Sequence, residues 1–186
     1  MDITSHAVTL ISIIVGLGLT EMLGNLHRLI RNRTRVTWDW LPVAWSATLL
    51  VLVINYWWSI YLGVRGLDQP RNAAEFGLVM IPPLLLFLTT ASALPNFDTA
   101  DEWDMRRHYA EQRKTFIVTF TLYQCSTWTT AMVIGTFGLN VISVVRAAIL
   151  LVLLLMLALN KRSLDWIGVL GILAVLVYRL TTQVVR

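Results

Sequence analysis

Residues 3–35 read ITSHAVTLISIIVGLGLTEMLGNLHRLIRNRTR, and the order of residue types along this stretch decides the fold. Up to His27 the only acid is Glu21, and the surrounding run is apolar. Crossing a bilayer takes about 20 such residues, and this stretch has them. Arg28, Arg31, Arg33 and Arg35 then close it. An apolar helix that ends in a block of arginines is the pattern of a membrane span whose end is fixed by positive charge.

The rest of the 186-residue chain repeats the theme. Further apolar runs cover residues 41–62, 76–94, 116–137, 141–159 and 164–180, while the first covers 5–30. The sixth is the weakest, because Asp165 and Arg179 trim its centre. In hydrocarbon every backbone polar group must be satisfied within the segment, so these runs read as helices. An outer-membrane barrel would instead show alternating strands of about 10 residues. The fold expected is an all-α membrane protein. Six transmembrane helices form an antiparallel bundle, a single domain over residues 1–186, with one short cytoplasmic helix before the fourth span.

Composition agrees. The chain is 56% hydrophobic with mean hydropathy +0.66, and its charged fraction is 14%, against about 25% in a soluble domain. The net charge of +4 does not point to nucleic acid. The bases gather at the ends of apolar runs, with no basic stripe interleaved with aromatics. No cleavable leader is expected, since no positive region and small-residue site precede the first span. The single cysteine, Cys125, excludes a disulfide framework and reads as a small buried hydrophobe.

Lysine and arginine counts near the span ends set orientation. One side receives Arg28, Arg31, Arg33, Arg35, Arg106, Arg107, Arg113, Lys114, Lys161 and Arg162. The other receives Arg65, Arg71, Arg146, Arg179 and Arg186. The bias predicts a cytoplasmic-membrane protein with both termini on the outer side and the arginine loop inside. Trp38, Trp40, Trp103 and Trp166 fall at the inner interface, and Tyr56, Trp57, Trp58 and Tyr61 near the outer one, as an interfacial belt requires.

Residues 95–115 form the long polar connection. Thr99 and Glu102 have the spacing of a capping box, and Arg107 and Glu111 that of a helical ion pair. Gly138–Asn140 and Asn160–Ser163 read as tight turns, which makes the last three helices antiparallel neighbours.

Polar residues inside the spans carry the functional reading. An intramembrane carboxylate costs a few kcal/mol or more unless it is protonated, paired or hydrated. Glu21 therefore heads a candidate ion or ligand pathway, with Asn25 and Arg28 on its face, joined by Asn55 and by Tyr123, Gln124 and Thr127 from the polar fourth helix. The alternative for Glu21 is a structural pair with Arg28 or another helix. Pro82 and Pro83 should bend the third helix. Arg146 reads as an arginine reaching up to the outer interface, or as an anion-facing one. Ser12, Gly16, Thr20 and Gly24 recur every fourth residue and form a helix-packing ridge.

No catalytic or phosphate-binding motif occurs. The GLGLTE at residues 16–21 lacks the third glycine and the strand of a dinucleotide fingerprint. His6, His27 and His108 lie too far apart for zinc or for a haem ligand pair. No metal, no cofactor and no catalytic residue is expected. Two function classes stand level: an oligomeric channel or transporter for a small ion or solute, and an accessory or assembly subunit of a larger membrane complex. Two polar amides and an acid, more than a purely structural bundle of this size requires, tip the reading to transport. A membrane-embedded enzyme or cofactor carrier comes third. The partners expected are the lipid bilayer and either further copies of the chain or other membrane subunits.

Overall fold

The structure, a computed structural model, describes residues 3–63, 73–95, 103–133 and 141–184. Six α-helices run through them: α1 Ile3–Arg31, α2 Trp40–Gly63, α3 Ala73–Ala91, α4 Met105–Val133, α5 Val141–Leu159 and α6 Arg162–Val184. Four are long and apolar enough to cross a membrane, over His6–Arg31, Trp40–Ile60, Ala73–Ala91 and Arg162–Thr181. The described apolar part of α5, Ser143–Leu159, is shorter, and the charged first turns of α4 dilute its apolar stretch.

One expected boundary moves. No separate cytoplasmic helix precedes the fourth span among the described residues, because α4 is continuous from Met105. The sequence explains this: no proline or glycine interrupts residues 105–133, so nothing breaks the hydrogen-bond ladder. The expected Arg107–Glu111 pair forms on its exposed first turns, at 3.0 Å. The cap is Asp104, whose Oδ1 accepts from the amides of Arg106 at 2.8 Å and Arg107 at 3.1 Å. The capping box at Thr99 and the turn at Gly138 lie outside the described residues.

The helices close into a ring. α1 packs on α3 and α2, α3 on α4, α4 on α5, α5 on α6, and α6 back on α2. Aromatic rings fill its middle. Trp45 of α2 sits edge-on to Phe116 at 5.1 Å and Phe120 at 6.0 Å, and Tyr56 meets Tyr123 at 6.0 Å. Trp45, Phe116 and Phe120 are all but fully buried. The α1–α3 contact is set by a glycine off the predicted ridge. A Cβ at Gly18 would lie 2.5 Å from Thr90 Oγ1 and 3.2 Å from the Phe87 backbone, so only glycine lets these helices approach. A Cβ at Gly16 or Gly24 would meet nothing within 4 Å. Neither of these two ridge glycines is required by the packing of the described helices. Cys125, expected inside, is exposed on the outer surface of α4.

α3 runs through Pro82 and Pro83, both buried. A proline at 82 has no N–H for the carbonyl of Leu78. The Thr130 hydroxyl of α4 donates to that carbonyl over a long 3.5 Å.

At one end the connections lock together, and this end is called the cap below. Val36–Thr37, after a 3-10 turn at Arg33–Arg35, pairs in parallel with Trp103–Asp104. This ties the α1–α2 connection to the entry of α4. Trp38 and Trp40 are exposed beside it with rings 6.4 Å apart, as interfacial anchors would be.

Candidate functional site

Two layers of polar side chains stand out within the bundle, one at the cap and one toward the opposite end of α2, α4, α5 and α6.

The cap layer begins with Asp39. It stands just before α2, where its Oδ1 accepts from the Leu41 amide at 3.1 Å. The same carboxylate receives Arg162 of α6 at 2.6 Å. Deeper in, Asp165 in the first turn of α6 is 1% exposed. Arg113 of α4 meets it with two parallel bonds, Nε to Oδ2 and Nη2 to Oδ1, both 2.7 Å. A guanidinium and a carboxylate matched in this way form the strongest kind of ion pair. Arg113 also donates to Asn160 Oδ1 and the Met156 carbonyl, each at 2.7 Å. Asn160 can serve because it ends α5 in the left-handed conformation, φ 44°, which asparagine tolerates better than most residues. The Tyr109 hydroxyl donates to Asp165 Oδ2 at 3.1 Å and accepts from Trp45 Nε1 at 3.3 Å. One chain of bonds therefore joins α2, α4, α5 and α6.

The cap electrostatics follow from this geometry. Hydrogen bonding to Asp165 holds the Arg113 guanidinium even more firmly protonated than usual. Burial first, and the Asp165 charge second, push the Tyr109 phenol well above its ordinary range. Burial lowers His108, with Glu111 opposing. A crevice under Trp45, Ser92, His108, Tyr109 and Phe116 encloses no space that a water molecule could occupy.

The far layer holds Asn55, Tyr56, Ser59, Tyr123, Arg146 and Arg179. Asn55 Nδ2 donates within its helix to the Val51 carbonyl at 3.0 Å and across to the Leu176 carbonyl of α6 at 3.3 Å. Arg179 donates to Ser59 Oγ at 3.3 Å. Arg146 and Arg179 are close enough to feel each other's charge, and both act on Tyr123.

The residues predicted from sequence separate. Asn55 and Tyr123 both lie in the far layer, joined through Tyr56. Thr127 bonds back to the Gln124 carbonyl at 2.8 Å, and the partly buried Gln124 side-chain amide makes no hydrogen bond to a described residue. Asn25 is 2% exposed, and its Nδ2 is buried without an acceptor. Glu21 and Arg28 are on the exposed surface of α1. Glu21 makes no hydrogen bond or ion pair with a described residue. It stands about 15 Å along the helix from Arg31, given 1.5 Å per residue. Asn55 stands about 22 Å along α2 from Trp40 by the same measure. The α1 group and the far-layer group therefore occupy different levels and different sides of the ring. The ridge residues Gly16 and Thr20 are likewise exposed.

The clasp roles of Asp39, Trp45, Tyr109, Arg113, Asn160, Arg162 and Asp165 escaped the sequence reading. Two local signals pointed to them: an aspartate directly before α2 and another in the first turn of α6, both cap positions. Among the described residues no three histidine, cysteine or acidic side chains are grouped to hold a metal.

Comparison with protein-family models, with curated proteins and with solved structures finds no match.

Proposed function

We propose that this chain is a structural subunit of a membrane assembly, working by contact with another membrane protein rather than by conduction. The observation that carries this reading is the filled interior. Trp45, Phe116, Phe120, Tyr123 and Tyr56 occupy the middle of the ring where a path would run. An ion leaving water needs replacement ligands converging on a hydrated space. Here the hydroxyls of Thr48, Thr89, Thr119 and Thr127 are satisfied by their own helices instead.

The outer surface of α1 supports the same reading. Glu21 faces outward at membrane depth, beside Gly16, Thr20 and Gly24. A carboxylate against acyl chains is costly, and a helix of another subunit offering a hydroxyl, amide or base at that depth removes the cost. Small residues at every fourth position let such a helix come close.

In this reading the chain crosses the membrane six times, with α4 spanning from Phe116. The cap faces the cytoplasm and both termini lie outside. The charge bias supports that orientation: ten bases are assigned to the cap side and five to the other. Reporter fusions at Arg33 and Arg186 test it; a cytoplasmic readout at Arg186 overturns the orientation.

The function is tested by purification from native membranes in a mild detergent with mass spectrometry. A distinct membrane protein should co-purify in fixed ratio, and Glu21→Leu should release it while the chain stays folded. Ion flux in proteoliposomes holding this chain alone, abolished by Glu21→Gln, would replace this reading with transport.

A further inference from the structure

The connection between α1 and α2 carries charge that the clasp does not use. Arg31 ends α1, Arg33 and Arg35 stand in the 3-10 turn, and all three are exposed. Their guanidiniums make no hydrogen bond or ion pair with a described residue. The acids described at the cap are engaged elsewhere. Asp39 is held by Arg162, Asp165 by Arg113, Glu111 by Arg107, and Asp104 by the amides that open α4. Glu21 stands about 15 Å along α1 from Arg31. Asp98, Asp101 and Glu102 lie outside the described residues.

The fold also fixes which side chains of this connection stay outside. Val36 and Asp39 are buried and anchor it inward. Val36 pairs with Trp103, and Asp39 is fastened to Arg162 and to the Leu41 amide. Trp38 and Trp40, on either side of Asp39, are left 37% and 68% exposed, with rings 6.4 Å apart. The apolar stretch of α1 ends at Arg31, and that of α2 begins at Trp40. The arginines and the tryptophans therefore share the level at which two spans leave the membrane. Indole rings are favoured there. A guanidinium is weakly hydrated and matches a phosphate with paired N–H donors. An acidic protein segment would satisfy the arginines alone, whereas a lipid interface accounts for the exposed indoles as well.

We propose that residues 31–40 form a docking surface for anionic phospholipid headgroups in the leaflet on the cap side. Arg31, Arg33 and Arg35 bind the phosphates, and Trp38 and Trp40 seat among the headgroups. The surface is separate from the outer face of α1, so it stands whether or not another subunit binds there.

The test uses the purified full chain in a neutral maltoside detergent, mixed with equal amounts of dioleoylphosphatidylglycerol and zwitterionic dioleoylphosphatidylcholine. Lipid retained on the chain is counted by native mass spectrometry. The parent chain should retain phosphatidylglycerol in preference. Raising ammonium acetate should weaken the preference, because exposed charges are screened. The triple variant Arg31→Gln, Arg33→Gln, Arg35→Gln should lose most of it, about five-fold per arginine. Arg107→Gln should leave it unchanged, since that charge is already paired with Glu111. Trp38→Ala with Trp40→Ala should reduce retention of both lipids alike. The proposal is overturned if the parent chain shows no preference, or if the triple variant keeps the preference of the parent. Displacement of the lipid by a polyglutamate peptide would assign the surface to an acidic protein segment and overturn it too. Should the triple variant fail to fold, the salt series on the parent chain decides: a preference that salt leaves unchanged overturns the proposal.

Discussion

The two ends of this bundle solve the problem of buried charge in opposite ways. At the cap the half-buried Arg113 has Asp165 at 2.7 Å, and the exposed Arg162 has the buried Asp39 at 2.6 Å. At the far end Arg146 and Arg179 lie together on helices that carry no acid in that half. Satisfied charge at the cap holds helices in register. At the far end Arg179 donates to a neutral hydroxyl, Ser59 Oγ at 3.3 Å, a weaker tie than a guanidinium matched to a carboxylate. The contrast places the strongest ties between helices at the cap.

The cap side of the comparison breaks first if Asp165 is dispensable. Asp165→Ala leaves Arg113 without its counter-charge and the Tyr109 hydroxyl without its acceptor, which for a broken buried pair costs about 3–5 kcal/mol. Thermal unfolding in detergent should show a larger loss than for any other single substitution at the cap. The paired change Arg113→Met with Asp165→Leu should recover much of it, since no lone charge then remains. A parent-like Tm for Asp165→Ala would make the clasp ornamental.

Asp39→Ala comes next. It removes the cap of α2, about 0.5–2 kcal/mol, together with the more exposed Arg162 pair. Asp39→Asn should retain the cap share, because an amide oxygen can still accept from Leu41. Equal losses in the two variants would place all the effect in the ion pair.

At the far end the sign should reverse. Arg146→Gln removes a charge that Arg179 feels, so its Tm in detergent should equal or exceed that of the parent. A large loss there would mean that Arg146 is as structural as Arg113.

Acidification gives a smaller effect, and its sign follows from burial. His108 is lowered in the fold, so the unfolded chain binds the proton first as pH drops below the ordinary value of about 6.5. Stability should be full above that pH and decline as pH falls below it. His108→Gln should flatten the decline. Arg107→Ala is the smallest change: its pair with Glu111 is exposed on both sides, and Tm should not move.

How much of this could be read from the sequence depends on the range of the information. The helices were legible because hydropathy is local: residues 5–30 were expected and Ile3–Arg31 is found. The Asn160 turn and the Arg107–Glu111 pair were legible for the same reason. The cap clasp was not, since Asp39 meets a residue 123 positions away and Arg113 one 52 away. Periodicity on α1 identified a face but not what it would touch. Gly16 and Gly18 differ by two positions, about 200° around the helix, and the close approach fell to Gly18. Glu21 was conspicuous as a lone acid, but one sequence cannot say whether it turns inward or outward.

The central claim is that the middle of the bundle is filled and dry. Thiol accessibility tests it most directly, in a Cys125→Ser background in native membranes. Thr48→Cys is a near-isosteric change at a fully buried position of α2, and Phe120→Cys lies in the aromatic layer. Gln112→Cys, exposed on the cap side, provides the reference. The account predicts that a charged, membrane-impermeant methanethiosulfonate labels Gln112→Cys and leaves the other two untouched from either side. Labelling of Thr48→Cys and Phe120→Cys at the rate of Gln112→Cys would show a water-filled path through the ring and contradict it.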